Sequence, residues 1–554
     1  MAPVLLRIPL SDLLGRIPLS ARTILDVGCG NGERAAAYRR MNPQARLFGI
    51  EPDLAAAALA ERHLEQVSSA DVEADPLPFA LTQGIDCIIY DDILHHLRDP
   101  WALIRHHVGA LNPEGVLLMC VANREYWRLT EQRLRGTPDR DGDRRFSITE
   151  IEAQVHELGL TLCDMTTNEP DGELAKRFCE SLEPALLALG IDPKDYARRA
   201  SASHLICRVR REPVQPLILS GNMLDPVGGV SHVRVLHPLQ AVGSDPRVIA
   251  TVTNRIDASE SATTAARIFV MHRPSLLGDR AVAVVGTLLE AGYLTVTEFD
   301  DHPEHFKMMQ IGGDLSFRAV HAVQTSTVAM AEILRKYNPE VAVFPNAIVA
   351  LPDIRNFTTP NCLTLFFGAL NREKDWQALL PVINAVAATA GDRLKFQVVH
   401  DQLFFEALET PHKTFTPTCD YDTYLRILGE SELCFMPLGD TPFNRAKSDL
   451  KFIEAGACRV AALASTVVYG DSVEDGRTGL LFRDPTEFHS RLLRLVAMPE
   501  LARDLGDAAR RYVMDHRMLA YQVAPRVAWY RSLWARREGL EAARRSRIER
   551  RMAA

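Results

Sequence analysis

Short β-branched or aromatic runs alternate along this chain with Ala-, Arg- and Leu-rich stretches of helical spacing. In the first part the runs are TILDV (23–27), RLFGI (46–50), IDCIIY (85–90) and GVLLMCV (115–121), separated by stretches such as ERAAAYRRM (33–41) and LAAAALAERHLEQV (54–67). Strands that alternate with helices pack as a parallel sheet with helices on both faces. SASHLICRVRR (201–211) reads as the closing strand of this block, and the Pro-containing EPVQP (212–216) breaks the pattern. A second series begins at LILSG (217–221) and continues through ARIFVM (266–271), YLTVTEF (293–299), EVAVFP (340–345), LTLFFG (363–368), LKFQVV (394–399) and SELCFMP (431–437). That is enough for two further Rossmann-like lobes, with a hinge near 350–362. The expected fold class is therefore α/β, divided as 1–211, 212–355 and 356–533, with an Arg-rich helix at 534–554 expected to be a solvated terminal helix.

Length and composition agree with that division. At 554 residues the chain exceeds one core, and roughly 150 residues per domain implies three or four. A net charge of −8 argues against a general nucleic-acid partner. The ten cysteines form no CxxC pair and fall mostly in apolar runs, as small core residues of a reducing compartment do. Arg7, Pro9 and Asp12 interrupt the amino-terminal apolar stretch, and the run at 281–296 carries Glu290 and is too short to span a bilayer. A cytoplasmic protein with at most peripheral membrane contact is expected.

The stretch ILDVGCGNGERAAAYRR places Gly28, Gly30 and Gly32 between a strand and a helix. A dinucleotide loop would read GxGxxG; here the third glycine comes one residue early and Glu33 fills the expected slot. A carboxylate at the helix start repels pyrophosphate, which disfavours an NAD-linked oxidoreductase and suits a ligand without phosphates. Asp26, just before the loop, is placed to meet a cationic amino group, and Glu51 ends the next strand where an acidic residue accepts ribose hydroxyls. The implied ligand is a nucleoside with a positively charged tail.

LDVGCGNG, FGIEPD, SADVEADPLPFA, DCIIYDDILHHLRDP and LNPEGVLLMCV, in that order and spacing, resemble the class I S-adenosylmethionine-dependent methyltransferases. The resemblance is strong over 20–125 and extends weakly to about 210. It implies S-adenosyl-L-methionine as cofactor, with Asp26 and the three glycines on its methionine part, Glu51 on the ribose, Asp71 on the adenine amino group and Asp91 by the sulfonium end. His95 and His96 are candidate bases, although one member of this paired histidine usually packs in the family. Arg124 and Tyr126 are candidate acceptor contacts. The histidines have no further ligand at metal-binding spacing.

In the second half, KSDLKFIEAGA (447–457) read as a helix places Lys447, Lys451 and Glu454 on one stripe and Leu450, Ile453 and Ala457 on another. With Ser448 as N-cap, Lys447 lies just outside. Lysines at the positive end of a helix are disfavoured unless an anion lies between them. A diphosphate is the natural anion, with Glu454 a turn deeper to accept ribose hydroxyls. FNRAKSDLKFIEAGACRVAALAS, YGDSVEDGRTGLLF (469–482) and LFFGALNREKDWQALLPVI (365–383) resemble GT-B glycosyltransferases of the family 4-like group.

That resemblance implies a nucleotide-sugar donor held by Lys451, Arg372 and Lys374 around the departing diphosphate, with Glu454 beside it and Lys447 and Ser448 in the donor site. Lys374 matches the usual lysine, and Arg372 substitutes for the arginine often found where this chain has Ala369. The first acidic position of the family's E-x7-E signature is Ala446, so only Glu454 carries over. Gly228 and Gly229 would approach donor and acceptor, His232 would face the acceptor, and Asn346 would lie at the lobe junction. Asp300 and Asp301 are expected in a structural or acceptor role, with no metal, which GT-B catalysis does not need. The expected function is bifunctional: methyl transfer, to a sugar or glycan hydroxyl, and glycosyl transfer to a glycan or glycolipid acceptor in bacterial-type surface glycan assembly. The alternative is a glycosyltransferase whose methyltransferase-like domain is only a binding or scaffolding module.

Overall fold

The computed structural model describes residues 13–81, 83–137, 144–168, 172–213, 215–224, 229–256, 265–355 and 361–553. Three α/β sheets follow one another along the chain, as the alternation requires. The first contains β1 (Thr23–Val27), β2 (Arg46–Ile50), β3 (Gln66–Ser68), β4 (Ile85–Asp91), β5 (Leu111–Ala122), β6 (Thr161–Asn168) and β7 (His204–Arg210), in the order β3-β2-β1-β4-β5-β7-β6. All five residues of β1 are buried, because helices cover both faces of the sheet. Leu25, Val27, Phe48 and Ile50 enter one core, and Ile24, Leu47, Cys87 and Ile89 the other, following the alternation of side chains along a strand.

Two features of this sheet depart from the sequence reading. The stretch 54–67 is not one helix: it divides into helix Leu54–Ala60, capped by Asp53, and strand β3. β6 and β7 pair antiparallel to each other, and β7 runs antiparallel to β5. The segment TLCDMTTN of β6 lacks an apolar strand signature because it is the edge strand.

The second sheet contains β8 (Leu217–Asn222), β9 (Val248–Thr253), β10 (Ala266–His272), β11 (Leu294–Glu298), β12 (Ala322–Thr325) and β13 (Val341–Val343), in the order β13-β12-β11-β10-β8-β9. The third contains β14 (Leu363–Gly368), β15 (Leu394–Val399), β16 (Lys413–Thr416), β17 (Leu433–Met436), β18 (Ala461–Ser465) and β19 (Gly479–Phe482), ordered β16-β15-β14-β17-β18-β19. All their strand pairs are parallel. In each lobe the first strand is internal and the order reverses beside it. Such switch points open a crevice at the carboxyl ends of the strands.

The end of the chain corrects two expectations. After helix Pro499–His516 the backbone crosses back, bridging Met518 to Ile348. Leu519, Val523, Val527, Tyr530, Leu533 and Leu540 then pack into the core around β8 and β10. Residues 519–533 therefore belong with the 212–355 lobe, not with the 356–533 unit. Helix Arg537–Ala553 is not a solvated arm either: Arg544 and Arg547 are buried and donate to the carbonyls of Ala319, Arg318 and Val320. Long arginine stems cover apolar surface while their guanidinium groups satisfy helix-end carbonyls.

The amino-terminal domain is fastened to this pair of lobes. Arg208 Nη1 donates to Ser244 O at 2.8 Å, and the Leu19 N–H donates to Ser244 Oγ at 2.9 Å. Arg40 and Leu351 exchange hydrogen bonds at 2.9 and 2.8 Å, so the expected hinge begins anchored. Among the described residues, no helix is long and apolar enough to cross a membrane.

Ending the chain at Arg536 should remove the buried Leu540 and the two carbonyl-capping arginines. A loss of about 2 kcal/mol or more is expected, read in calorimetry as a drop of at least about 4 °C in the transition of the 212–355 lobe.

Candidate active sites

The loop after β1 turns through three left-handed glycines, with φ of +79° at Gly28, +54° at Gly30 and +80° at Gly32. A Cβ at Gly32 would stand 3.0 Å from Ala60 Cα, whereas one at Gly30 would meet nothing within 4 Å. Gly30 is thus demanded by its backbone, and its N–H donates to Glu51 Oε2 at 2.8 Å. The other Glu51 oxygen accepts the Asp53 N–H at 3.0 Å, which locks the carboxylate at the end of β2. Glu33 exchanges hydrogen bonds with Asn31 at 2.9 and 3.2 Å, so its carboxylate stays at the helix start.

Asp26 is buried, and burial pushes its carboxyl up to about 6, opposed by Arg34 and reinforced by Asp91 and Glu51. Arg34 was not singled out from the sequence. The second residue of helix Glu33–Met41, it reaches both carboxylates, with Nη1 3.4 Å from Asp26 and Nη2 2.8 Å from Asp91. Asp71 is exposed and accepts the Glu73 N–H at 2.9 Å. His95 lies 3.3 Å from Asp92, with its ring centroid 3.7 Å from that of His96. Asp92 itself has φ +54°, a strained backbone just past β4. Arg124 is half-exposed and pairs with Glu150 at 3.4 Å, and Tyr126 packs edge-on against Trp127.

The second site is a cavity of about 520 Å³ lined by both later lobes. It gathers Gly229, Asn346, Arg372, Lys447, Ser448, Lys451 and Glu454. Arg273, Asn371 and His400, just past β10, β14 and β15, also line it, and all three adopt left-handed backbone, with φ of +44°, +55° and +74°. Such strain in non-glycine residues persists where surrounding structure enforces it, characteristically at functional sites. Gly228 lies outside the described residues. Lys374 is exposed and does not line the cavity, because helix Glu373–Trp376 buries Trp376 instead.

The predicted helix starts later than expected. It spans Leu450–Ala457 behind Asp449, whose carboxylate is taken by Arg517, one nitrogen of which also donates to Asn346 O at 3.0 Å. Lys447 and Ser448 therefore precede the helix, and the single stripe of Lys447, Lys451 and Glu454 does not form. Lys451 donates to the Gly368 carbonyl and, at 3.2 Å, to Tyr424 Oη; burial lowers its pKa. Glu454 is buried, accepts the Tyr421 hydroxyl at 2.8 Å and has its pKa raised by burial. Arg372 Nη1 reaches Asn444 at 3.0 Å and Asp375 at 3.1 Å.

Tyr421 belongs to one lobe and touches the other. Its ring stacks on His232 at 5.5 Å between centroids, and a Cβ on Gly229 would stand 2.5 Å from it. Asn346 bridges the same junction: its Nδ2 donates to Ser448 Oγ at 2.7 Å, and its Oδ1 accepts from Arg234 Nη1 at 2.8 Å. Arg234, a lone cation in the apolar run VSHVRVL, was missed in the sequence, where its partner Glu298 lies 64 positions away. Both side chains are buried, paired at 2.9 and 3.0 Å. Asp300 pairs with Arg273 at 2.7 Å and Asp301 with Lys447 at 2.8 Å. Among the described residues, no cluster of three or more His, Cys, Asp or Glu forms a metal cage.

A larger groove of about 1140 Å³ lies at the amino-terminal ends of β14, β15 and β16, bordered by Thr364, Lys395 and Thr414. It is remote in topology from the strand ends where chemistry is expected.

Comparison with known proteins matches each half separately. The family described as methyltransferase domain matches residues 5–164, and the family described as glycosyl transferases group 1 matches residues 361–498. The chain thus carries a methyltransferase domain and a group 1 glycosyltransferase domain. Trans-aconitate 2-methyltransferase of Escherichia coli is 36% identical over 110 residues, 20% of this chain and 43% of the relative. The chain thus spans less than half the length of the curated relatives it matches. Among solved structures, sucrose-phosphate synthase from Thermosynechococcus elongatus aligns at 15% identity and TM-score 0.42, over 58% of this chain and 99% of that one. S. aureus TarM aligns at 13% identity and TM-score 0.38, over 48% and 55% respectively.

The environment of Asp26 sets a pH dependence. Its folded carboxyl holds a proton to about pH 6, whereas an unfolded aspartate releases it near 3.8. The stabilisation is full below the unfolded value and is lost as pH rises through the folded one. Asp26→Asn should flatten the decline of amino-terminal-domain stability between about pH 4 and 6, by on the order of 3 kcal/mol, in urea titrations at both ends of that range.

Proposed function

We propose that this chain is a bifunctional transferase, moving a methyl group from S-adenosyl-L-methionine in its first domain and a sugar from a nucleotide-sugar between its later lobes. The observation that carries this is the opposite chemistry of two crevices at equivalent strand ends. In the first, Glu51 holds the glycine turn and Asp26 and Asp91 meet on Arg34, an acidic set that suits a cationic nucleoside. In the second, Lys447, Lys451 and Arg372 converge on one cavity and suit a diphosphate.

Glu51, held by Gly30 and Asp53, would accept the ribose hydroxyls, and Asp26 and Asp91 would carry the charge at the methionine end. Asp71 would meet the adenine amino group. Methyl transfer then needs alignment more than proton transfer, and the packed His95 would serve as base only for an acceptor hydroxyl. In the second crevice Lys451 and Arg372 would stabilise charge building on the departing diphosphate. Glu454 and Asn346 would hold donor hydroxyls, with Gly229 and His232 on the acceptor side. We assign the acceptor to a glycan or glycolipid of bacterial-type surface glycan assembly, and the work to the cytoplasm, which the unpaired cysteines fit.

Arg34 favours a second reading. Because it already pairs with both Asp26 and Asp91, the first domain could act as a binding or scaffolding module for the glycosyltransferase. Calorimetry on the full chain separates the two. S-adenosylmethionine should bind at one site, and Asp26→Ala should abolish the heat; no heat in the wild type selects the scaffold.

For the second crevice, a panel of nucleotide-sugars should include one that raises the melting temperature and is slowly hydrolysed. Lys451→Ala should weaken that donor at least about tenfold, the worth of one hydrogen bond to a charged group. Unchanged stabilisation by Lys451→Ala would remove the assignment.

A further inference from the structure

The cavity between the lobes has five cations on its lining: Arg234, Arg273, Arg372, Lys447 and Lys451. Arg234 and Arg273 are committed to carboxylates of their own lobe, Glu298 and Asp300. Arg372 is held by Asp375 and Asn444, and Lys451 by the neutral oxygens of Gly368 and Tyr424. Lys447 is different, because its ammonium crosses the cleft to a carboxylate of the opposite lobe, Asp301, at 2.8 Å. Both side chains are mostly buried, at 21% and 18% exposed, so the pair is shielded from the screening that empties surface pairs of energy.

The segment that carries Lys447 is docked on the opposite lobe along its length. The Phe443 ring lies 4.2 Å from that of His305, and Ala446 is buried in the core cluster of Phe269, Phe299 and Phe317. Thr327 Oγ1 donates to Ala446 O at 3.3 Å, and Ser448 takes the Asn346 amide. The Lys447 ammonium also stands 4.2 Å from the Phe443 ring centroid. The backbone here is therefore fixed, while the lysine side chain, with flexible stem and three donors, can turn.

We propose that Lys447 is an exchangeable cation: Asp301 holds it in the unliganded cleft, and an entering pyrophosphoryl group takes it, so that Asp301 sets the affinity for donor. This rests on the nucleotide-sugar reading of the same cavity. The exchange breaks one charge-assisted hydrogen bond and forms another, and Asp301 keeps the Arg273 guanidinium of its own lobe at 3.9 Å. A carboxylate that must first surrender its cation subtracts from the anion's binding energy, as any competing internal partner does.

The test uses the full chain with inorganic pyrophosphate and with uridine diphosphate as probes, titrated calorimetrically against five proteins: wild type, Asp301→Asn, Lys447→Gln, the double variant of these two, and Lys451→Ala. Asp301→Asn should tighten both probes by about three- to tenfold, the range expected for removing a partly buried competing partner. Lys447→Gln should weaken them, and in that background Asp301→Asn should have no further effect. Melting temperatures confirm that each variant is folded.

Asp301→Asn leaving affinity unchanged would overturn the exchange, as would an equal tightening with and without Lys447, which is the signature of a general loss of negative charge. The underlying reading fails separately: probes that bind equally well to Lys451→Ala and wild type, or not at all, remove the diphosphate site itself. Probes that depend on Lys451 but ignore Asp301 remove only the exchange.

Discussion

A parallel strand cannot be joined to its neighbour by a hairpin; the chain must cross the sheet and return in the same direction. Each crossover leaves the carboxyl end of one strand and enters the next helix on the same edge, so the loops of one kind gather there. Both candidate sites are built from such loops. Gly28 to Gly32 follows β1, Glu51 follows β2 and Asp92 follows β4, while Arg273, Asn371 and His400 follow β10, β14 and β15. The concentration of left-handed, non-glycine backbone at these positions shows that surrounding packing dictates the turns. The glycine loop and the lysine-bearing segment are therefore two uses of one architectural edge.

The junction of the later lobes depends on a buried ion pair in which Arg234 uses four of its five N–H donors. Arg234 makes two hydrogen bonds to Glu298 and one each to Phe344 O and Asn346. Two charges withdrawn from water gain little unless each is fully hydrogen-bonded, and removing one partner from such a pair costs roughly 3–5 kcal/mol. The fourth bond reaches outward: it orients Asn346, whose amide then fixes Ser448 in the facing lobe. Arg517 reinforces the junction by holding both Asp449 and the Asn346 carbonyl. The start of the Lys451 helix is thus set by groups that are not on that helix.

In both sites charge is compensated before any ligand enters. Arg34 bridges Asp26 and Asp91, and Tyr421 engages Glu454 while its ring packs on Gly229 and His232 of the other lobe. Internal pairing keeps buried ionisable groups from being stranded, since an isolated buried charge carries a large desolvation penalty. It also makes binding an exchange of partners. Glu454, far from standing open toward a ribose, would have to share or release the Tyr421 hydroxyl.

The repeated pattern of runs and spacers was sufficient to read the α/β class, the three sheets and most of their central strands, because buried strands announce themselves by continuous apolar character. Edge strands such as β6 did not, since their outer faces are polar. The glycine loop was legible because left-handed backbone excludes most other residues; Lys451 and Glu454 were singled out by helical spacing and Asn346 by family resemblance alone, and the fold brings the three to one cavity. What only the tertiary structure decided were the partners: Arg34 with two aspartates, Arg234 with Glu298, Lys447 with Asp301, and the buried terminal arginines with carbonyls of an earlier lobe. Local order along a chain encodes backbone geometry and periodicity, which are short-range. Charge pairing joins residues as distant as Asp301 and Lys447, and it exists only once the fold has brought them within reach.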